Sequence, residues 1–292
     1  MKRIKRLWVQ IASAVAHNAW LPGFAAGTIW KGKSKYACLP GFNCYSCPGA
    51  LGACPVGALQ AVIGSRKFNI GWYVIGTLLL FGLIAGRWIC GWLCPFGLLQ
   101  DVLHRIPGKK LRVPKKLRWL RFTKYALLAI FVVLLPMFPL NALNDPAFCK
   151  FICPAGTIEG ALPLLALNEP LRSSAGLLFV WKAFLAIAIV AACVVLYRFF
   201  CRFLCPLGAI YGLLNRVALY RLRVDNHRCT KCGACSRACK LDVEPYKTPN
   251  SAECIRCGDC VKACPHRALN SGFGIAEKNA GQLAGTGGRQ GI

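Results

Sequence analysis

Eight cysteines between positions 229 and 264 constrain this chain more than any other feature. They read Cys229-x-x-Cys232-x-x-Cys235-x-x-x-Cys239 and, after a short spacer, Cys254-x-x-Cys257-x-x-Cys260-x-x-x-Cys264-Pro265. Tight thiolate triplets with a more distant fourth ligand wrap a [4Fe-4S] cluster, and in a tandem pair the fourth ligand of each run crosses to the other cluster. The spacing predicts Cys229, Cys232, Cys235 and Cys264 around one cluster, and Cys254, Cys257, Cys260 and Cys239 around the second. Structural zinc, the rival for so many thiols, uses two separated pairs instead. The first run ends Cys239-Lys240 in place of Cys-Pro, which alters the turn after that ligand and removes no thiolate.

The rest of the chain decides where such a module sits. Of its 292 residues 56% are hydrophobic, yet the net charge is +27, and the mean hydropathy is +0.46. That combination argues against an ordinary soluble domain and for apolar spans flanked by basic loops. Four apolar runs, Leu7 to Trp30, Ile70 to Ile89, Tyr125 to Leu140 and Gly176 to Leu196, suit crossings of a roughly 30 Å hydrocarbon core. The expected fold is an α-helical integral membrane protein of four transmembrane helices in two tandem hairpins, with a C-terminal two-cluster ferredoxin domain of small α+β type. Residues 1–222 form the membrane domain, 223–270 the ferredoxin domain and 271–292 a Gly-rich flexible tail. The basic leader Met1 to Arg6 and the small residues Phe24-Ala25-Ala26-Gly27 also suit a cleaved signal peptide; a retained first helix is preferred because it opens a repeat.

Basic residues set the expected orientation. The loop between the second and third runs carries nine, from Arg105 to Lys124, and the N-terminus four, whereas the opposite loops are poorer. Both termini are therefore expected in the cytoplasm and the chain in the inner (cytoplasmic) membrane, multi-pass. Thiolate clusters need reduced cysteines, so the ferredoxin end belongs on that reducing side. With no nucleic-acid fold in the sequence, the basic loops point to the membrane and to redox partner proteins such as oxidoreductase subunits, a ferredoxin or a cytochrome.

The repeat is Cys-Pro-x-Gly followed by an aliphatic residue: Cys54-Pro55-Val56-Gly57, Cys94-Pro95-Phe96-Gly97, Cys153-Pro154-Ala155-Gly156 and Cys205-Pro206-Leu207-Gly208. In the last three a second cysteine precedes by four residues, at Cys90, Cys149 and Cys201. Placed by the expected topology, Cys90, Cys94, Cys201 and Cys205 meet at the inner face as a third [4Fe-4S] site. Cys149 and Cys153 meet Cys44, Cys47 and Cys54 at the outer face as a fourth, with Cys44 or Cys47 replacing the partner that Ala50 cannot supply. Disulfides compete for Cys38, Cys44 and Cys47 on an oxidising side, and Cys193 reads as a small apolar core residue. Asp101 and His104, three apart on the short helix after Cys94, are the candidates for binding a quinone and taking its proton, against the plainer role of a solvated interfacial helix.

These motifs carry a resemblance. Cys90-Gly91-Trp92-Leu93-Cys94-Pro95, Cys201-Arg202-Phe203-Leu204-Cys205-Pro206 and the two cysteine runs resemble membrane polyferredoxins of the NapH type, relatives of the quinol dehydrogenase subunit of periplasmic nitrate reductase systems, with NosR and CcoG more distant. The likeness runs from about Phe68 to Asn270. It implies four spans, cytoplasmic ends and electron transfer between a membrane quinone pool and a partner. No Gly-x-Gly-x-x-Gly or phosphate loop is present, so nucleotide chemistry would belong to another subunit. The expected function is a membrane-bound iron-sulfur electron carrier linking the cytoplasmic ferredoxin domain to a membrane or periplasmic-side partner, with a path across the membrane and quinol dehydrogenase activity as finer expectations. The alternative of a different class is a redox-sensing or metal-reducing regulatory or assembly protein.

Overall fold

The structure, a computed structural model, describes residues 3–65, 71–138 and 146–274. The expected tail beyond residue 274, the start of the second apolar run at Ile70, and Arg66 and Lys67 lie outside the described residues.

Each Cys-Pro motif starts a helix, and the reason is local. At Cys54, Cys94 and Cys205 the cysteine takes the N-cap with extended backbone and proline takes the first helical position, where its missing N–H costs nothing. Helix α1 spans Arg3–His17; α2, Pro55–Gly64, is capped by Cys54; α3 is Gly71–Ile84; and α4, Pro95–Leu103, is capped by Cys94. Next come α5 (Lys116–Met137), α6 (Gly156–Leu167) and α7 (Leu177–Val195), then α8, Pro206–Leu214, capped by Cys205. Glycine follows for packing: a Cβ on Gly97 would press on the Cys90 carbonyl oxygen, and one on Gly208 would lie 3.1 Å from that of Cys201.

The expectation of four transmembrane helices in two tandem hairpins is overturned. Among the described residues two helices are long and apolar enough to cross a membrane, α5 with 22 residues and α7 with 19. The first apolar run breaks at His17, after which the chain turns through Pro22. In the second run α3 has 14 residues and ends in a turn over residues 85–87, where Gly86 has φ 54°. At about 1.5 Å per residue, α3 covers roughly 21 Å, well short of a bilayer core. Hydropathy counts apolar residues and misses the turns that cut a helix short. Only 17% of the apolar window of α5 and of α7 is buried within the protein. Trp181, Phe184 and Ile187 of α7 face outward, unlike a soluble core helix.

The C-terminal region closes with one antiparallel pair, β1 (Tyr220–Val224) and β2 (Leu269–Phe273), in register from Tyr220 opposite Phe273 to Val224 opposite Leu269. Between them lie two short helices, α9 (Ala234–Ala238) and α10 (Asp259–Lys262). The backbone repeats itself here. Lys231 and Arg256 are left-handed at φ 55° and 52°, Gly233 and Gly258 at 73° and 82°, and Asp242 and Arg267 at 53° and 50°. Both cysteine runs therefore make the same turns, and Cys239 keeps its turn without a following proline.

This module is bolted to the helices by buried polar contacts. Glu253 pairs with Arg87 at 2.9 Å and with Lys124. Arg202 pairs with Asp242 at 2.7 Å, Trp92 Nε1 donates to the Arg256 carbonyl at 3.1 Å, and Arg256 donates to the carbonyls of Ala85 and Asn215. Gly91 lies so close to the Ile255 carbonyl that a Cβ there would strike it.

Candidate iron-sulfur sites

Cys229, Cys232, Cys235 and Cys264 line one small cavity in the C-terminal module, and Cys239, Cys254, Cys257 and Cys260 line another. Within each, three thiols come from one run and the fourth from the other. The crossing follows from the repeated turns, which set the two fourth cysteines beside the opposite loops.

Cys90, Cys94, Cys201 and Cys205 gather between α4 and α8, all buried. Cys201 and Cys90 lie close enough to act on the ionisation of both Cys94 and Cys205. Two fully buried arginines cross between the repeats. Arg87, three residues before Cys90, donates to the Cys201 carbonyl at 3.0 Å; Arg198, three before Cys201, donates to the Cys90 carbonyl at 2.5 Å. Each has a carboxylate behind it, Glu253 for Arg87 and Asp101 for Arg198.

Cys38, Cys44, Cys54, Cys149 and Cys153 line a cavity of about 740 Å³ along α2 and at the start of α6; the expectation that this group and the Cys90 group lie at opposite membrane faces is corrected, because Phe42, two residues before Cys44, donates its N–H to Cys94 Sγ at 3.4 Å and makes the two groups neighbours. Cys149, Cys44 and Cys54 all act on the ionisation of Cys153. A Cβ on Gly57 would sit 3.9 Å from Cys149 Sγ, and one on Gly160 would sit 3.4 Å from Cys44 Sγ. Cys47 is not among the residues lining the cavity and donates its thiol to Asn18 Oδ1 at 3.4 Å. Of the two alternatives for the missing ligand, the geometry brings Cys44 to the group. Cys193 is buried against Gln100.

Sequence reasoning missed the residue six positions after each Cys-Pro cysteine, which reaches across to the other repeat. Gln60 Nε2 donates to Cys149 Sγ at 3.3 Å and Gln100 Nε2 to Cys201 Sγ at 3.0 Å. Glu159 Oε2 accepts the Cys44 N–H at 2.7 Å, and the Tyr211 hydroxyl donates to the Pro40 carbonyl at 3.1 Å. The constant offset was the available signal.

These surroundings fit iron-sulfur clusters. Besides the glutamines, the N–H groups of Phe42, Gly208 and Ala268 point at Cys94, Cys205 and Cys264 sulfurs at 3.3 to 3.4 Å, as donors to thiolates should. Burial pushes the free Cys44 and Cys54 thiols up to about 12, so neighbouring thiols do not ionise together unaided. Bound iron supplies the compensating charge. A single ion suits the chain less well: among the described residues no three Cys, His, Asp or Glu side chains converge closely enough to hold one, whereas a cubane spreads its four ligands over a wider body.

Asp101 is fully engaged. Arg198 grips both its oxygens at 2.8 and 2.7 Å, and Arg6 and Gln10 add bonds at 2.7 and 2.9 Å. Burial alone would raise its carboxyl; the arginines overcome that and hold it well below the usual carboxylate range. His104 donates from Nδ1 to the Cys193 carbonyl at 3.3 Å, and burial lowers its pKa. The two share a cavity of about 80 Å³ with Arg6, Gln10, Tyr197 and Cys257, smaller than the few hundred Å³ of most small-molecule sites.

Cysteine-lined sites furnished with donors to sulfur define an iron-sulfur protein. The chain belongs to the polyferredoxin-type 4Fe-4S binding domain family, whose profile matches residues 52–73, 71–114, 123–162 and 177–225, more than half of its length, while a further 4Fe-4S binding domain profile matches 248–270. Relatives include YccM of Escherichia coli, named as a candidate electron transport protein, 25% identical over 56% of this chain and 44% of its own. The methylamine utilization ferredoxin-type protein MauN of Methylorubrum extorquens is 28% identical over 63% of this chain and 59% of its own. The regulatory protein NosR of Pseudomonas aeruginosa is 28% identical over 55% of this chain and 21% of its own. The chain thus spans less than two thirds of the length of each. No solved structure matches it significantly.

Proposed function

We propose that this chain is a membrane-bound electron-transfer protein that holds four [4Fe-4S] clusters in series: on Cys229, Cys232, Cys235 and Cys264; on Cys239, Cys254, Cys257 and Cys260; on Cys90, Cys94, Cys201 and Cys205; and on Cys44, Cys54, Cys149 and Cys153. Each cluster, when bound, takes up and returns a single electron. The observation that carries the proposal is that ligands of successive sites lie on loops in direct contact. Cys254 precedes Ile255, which packs on Gly91 beside Cys90; Phe42, two residues before Cys44, donates its N–H to Cys94. The chain's own side chains fill these junctions. Phe42, Phe96 and Phe200 fill one, with ring centroids 5.0 to 5.6 Å apart, and Arg87 with Glu253 clamps the other.

The basic residues at the start of α5 and Arg198 and Arg202 after α7 favour one membrane face, the cytoplasmic one, for the ferredoxin module. A second reading, exchange with a membrane quinone at the Asp101 and His104 cavity, is favoured by that cavity's contact with Cys257. There the engaged Asp101 leaves His104 to accept the proton. The regulatory alternative predicts centres that equilibrate without turning over.

Iron and acid-labile sulfide assay of anaerobically purified protein, followed by rapid-mix EPR with a donor and an acceptor, tests the proposal. Roughly 16 iron per chain, with signals that cycle on turnover, is expected. About 8 iron would remove the two helical sites; signals that only equilibrate would favour sensing.

A further inference from the structure

We propose that the rim around Cys232 docks an acidic redox protein, the partner with which this chain exchanges electrons; this rests on the electron-transfer reading above. The two halves of the C-terminal module make the same turns but use them differently. In the second half, Ile255 and Arg256 are buried. Arg256 donates to the Ala85 and Asn215 carbonyls at 2.8 and 2.7 Å, and this face joins the Cys254 loop to the Cys90 loop. The equivalent residues of the first half, Thr230 and Lys231, are exposed. The surface that serves contact between sites in one half is thus presented to solvent in the other.

That surface is chemically marked. Of the 19 thiols Cys232 alone is exposed. Arg228, Lys231 and His266 line the same small cavity as the four cysteines, and Arg237 donates to the Cys232 carbonyl at 3.1 Å. Arg228, Lys231, Arg237 and Arg267 are all exposed. Asp225 reaches Arg228 at 3.3 Å, but both side chains are open to water at 43% and 68%, where such a pair offsets little charge. Lys231, Arg237 and Arg267 make no ion pair among the described residues. A concentrated positive rim around an open cluster ligand raises the encounter rate of a negative partner and orients it toward that ligand. Anionic lipid is the rival occupant; it would cover the one exposed ligand and close the end of the series, so a protein fits better.

The test uses the full chain in neutral-lipid nanodiscs, loaded with clusters, and a soluble acidic [2Fe-2S] ferredoxin as the probe, followed by anaerobic stopped flow. In the Lys231→Glu, Arg267→Glu variant, at unchanged iron content, reduction by the probe at low ionic strength is expected to slow about tenfold or more and to lose its salt dependence. Reduction by a zwitterionic viologen stays unchanged, and Lys231→Arg keeps the fast rate. Equal rates in variant and parent, or a parent that reacts with the viologen but not the probe, overturn the docking surface. Loss of binding to anionic vesicles without loss of rate assigns the rim to lipid and overturns it as well. If even the viologen fails to reduce the intact, loaded protein, the electron-transfer reading itself falls.

Discussion

The backbone N–H of Phe42 donates to the sulfur of Cys94 at 3.4 Å, and Cys44 follows it by two residues. Two residues of chain reach at most about 7 Å, so the Cys90 and Cys44 groups are neighbours, linked by a few covalent bonds and one hydrogen bond. Gly41 makes the approach possible: a Cβ there would lie 2.9 Å from Pro95 and 3.0 Å from His17 Nε2. Tyr211, held to the Pro40 carbonyl, lies between the two groups and feels Cys90 and Cys94 on one side and Cys38 and Cys54 on the other.

Replacing Gly41 by Val is expected to push this loop off Cys94. In protein reduced to load both helical sites, the magnetic interaction between them should weaken in EPR, while iron content stays within one cluster of the parent. An unchanged interaction would mean that the Phe42 contact does not set the spacing.

Gln100→Leu removes the amide that points at Cys201, and Gln60→Leu the one at Cys149. Each lost hydrogen bond to a thiolate destabilises the reduced, more negative state by about 1 kcal/mol, or roughly 40 mV for one electron. Potentiometric EPR should find one helical centre shifted to lower potential in each variant, a different centre in the two cases. Glu159→Gln gives no such downward shift, because Glu159 accepts from a backbone N–H and donates to no sulfur.

Asp101 anchors Arg198, whose side chain is fully buried. Asp101→Asn leaves that charge underpaired and should cost about 3 kcal/mol of stability, read as a lower melting temperature at pH 7. Because the folded carboxyl titrates below its unfolded value of about 3.9, its contribution is fully present above that value and fades as pH falls through the depressed folded one. Parent and variant should therefore differ constantly across pH 5 to 8 and converge only in strong acid. A variant of parental stability that loses quinol oxidation alone would instead make Asp101 part of a quinone site.

What was legible in the sequence was local. Three-residue thiol spacing fixed which cysteines share each ferredoxin cavity, and Cys-Pro fixed four helix starts, because both depend on a few adjacent dihedrals. Helix length was not legible: the break after His17 and the turn at Gly86 lie inside apolar runs that hydropathy sums as continuous, and two of four expected spans failed there. Contacts between repeats were also hidden. Arg87 reads as a span-flanking cation and Gln60 as an ordinary helix residue until the fold brings them to Cys201 and Cys149.

The ligand choice between Cys44 and Cys47 offers the sharpest check on the Cys149 group. Only two residues, Tyr45 and Ser46, separate them, and sequence spacing permits either. In the structure the Cys44 N–H is fixed by Glu159 and its sulfur faces Gly160 and the cavity, while Cys47 is held by Asn18. Asn18 is itself tied to Asn43 by a pair of amide hydrogen bonds at 3.2 and 2.9 Å, so swinging Cys47 inward would break a linked set. Cys44→Ala is therefore expected to lose one cluster's worth of iron, about 4 atoms, and with it one EPR centre, whereas Cys47→Ala keeps both. Cys38 lines the same cavity but stands outside the proposed ligand set, so Cys38→Ala should also keep its iron. Loss of iron in Cys47→Ala with retention in Cys44→Ala would reverse the assignment; loss in neither would remove the Cys149 group as a cluster site.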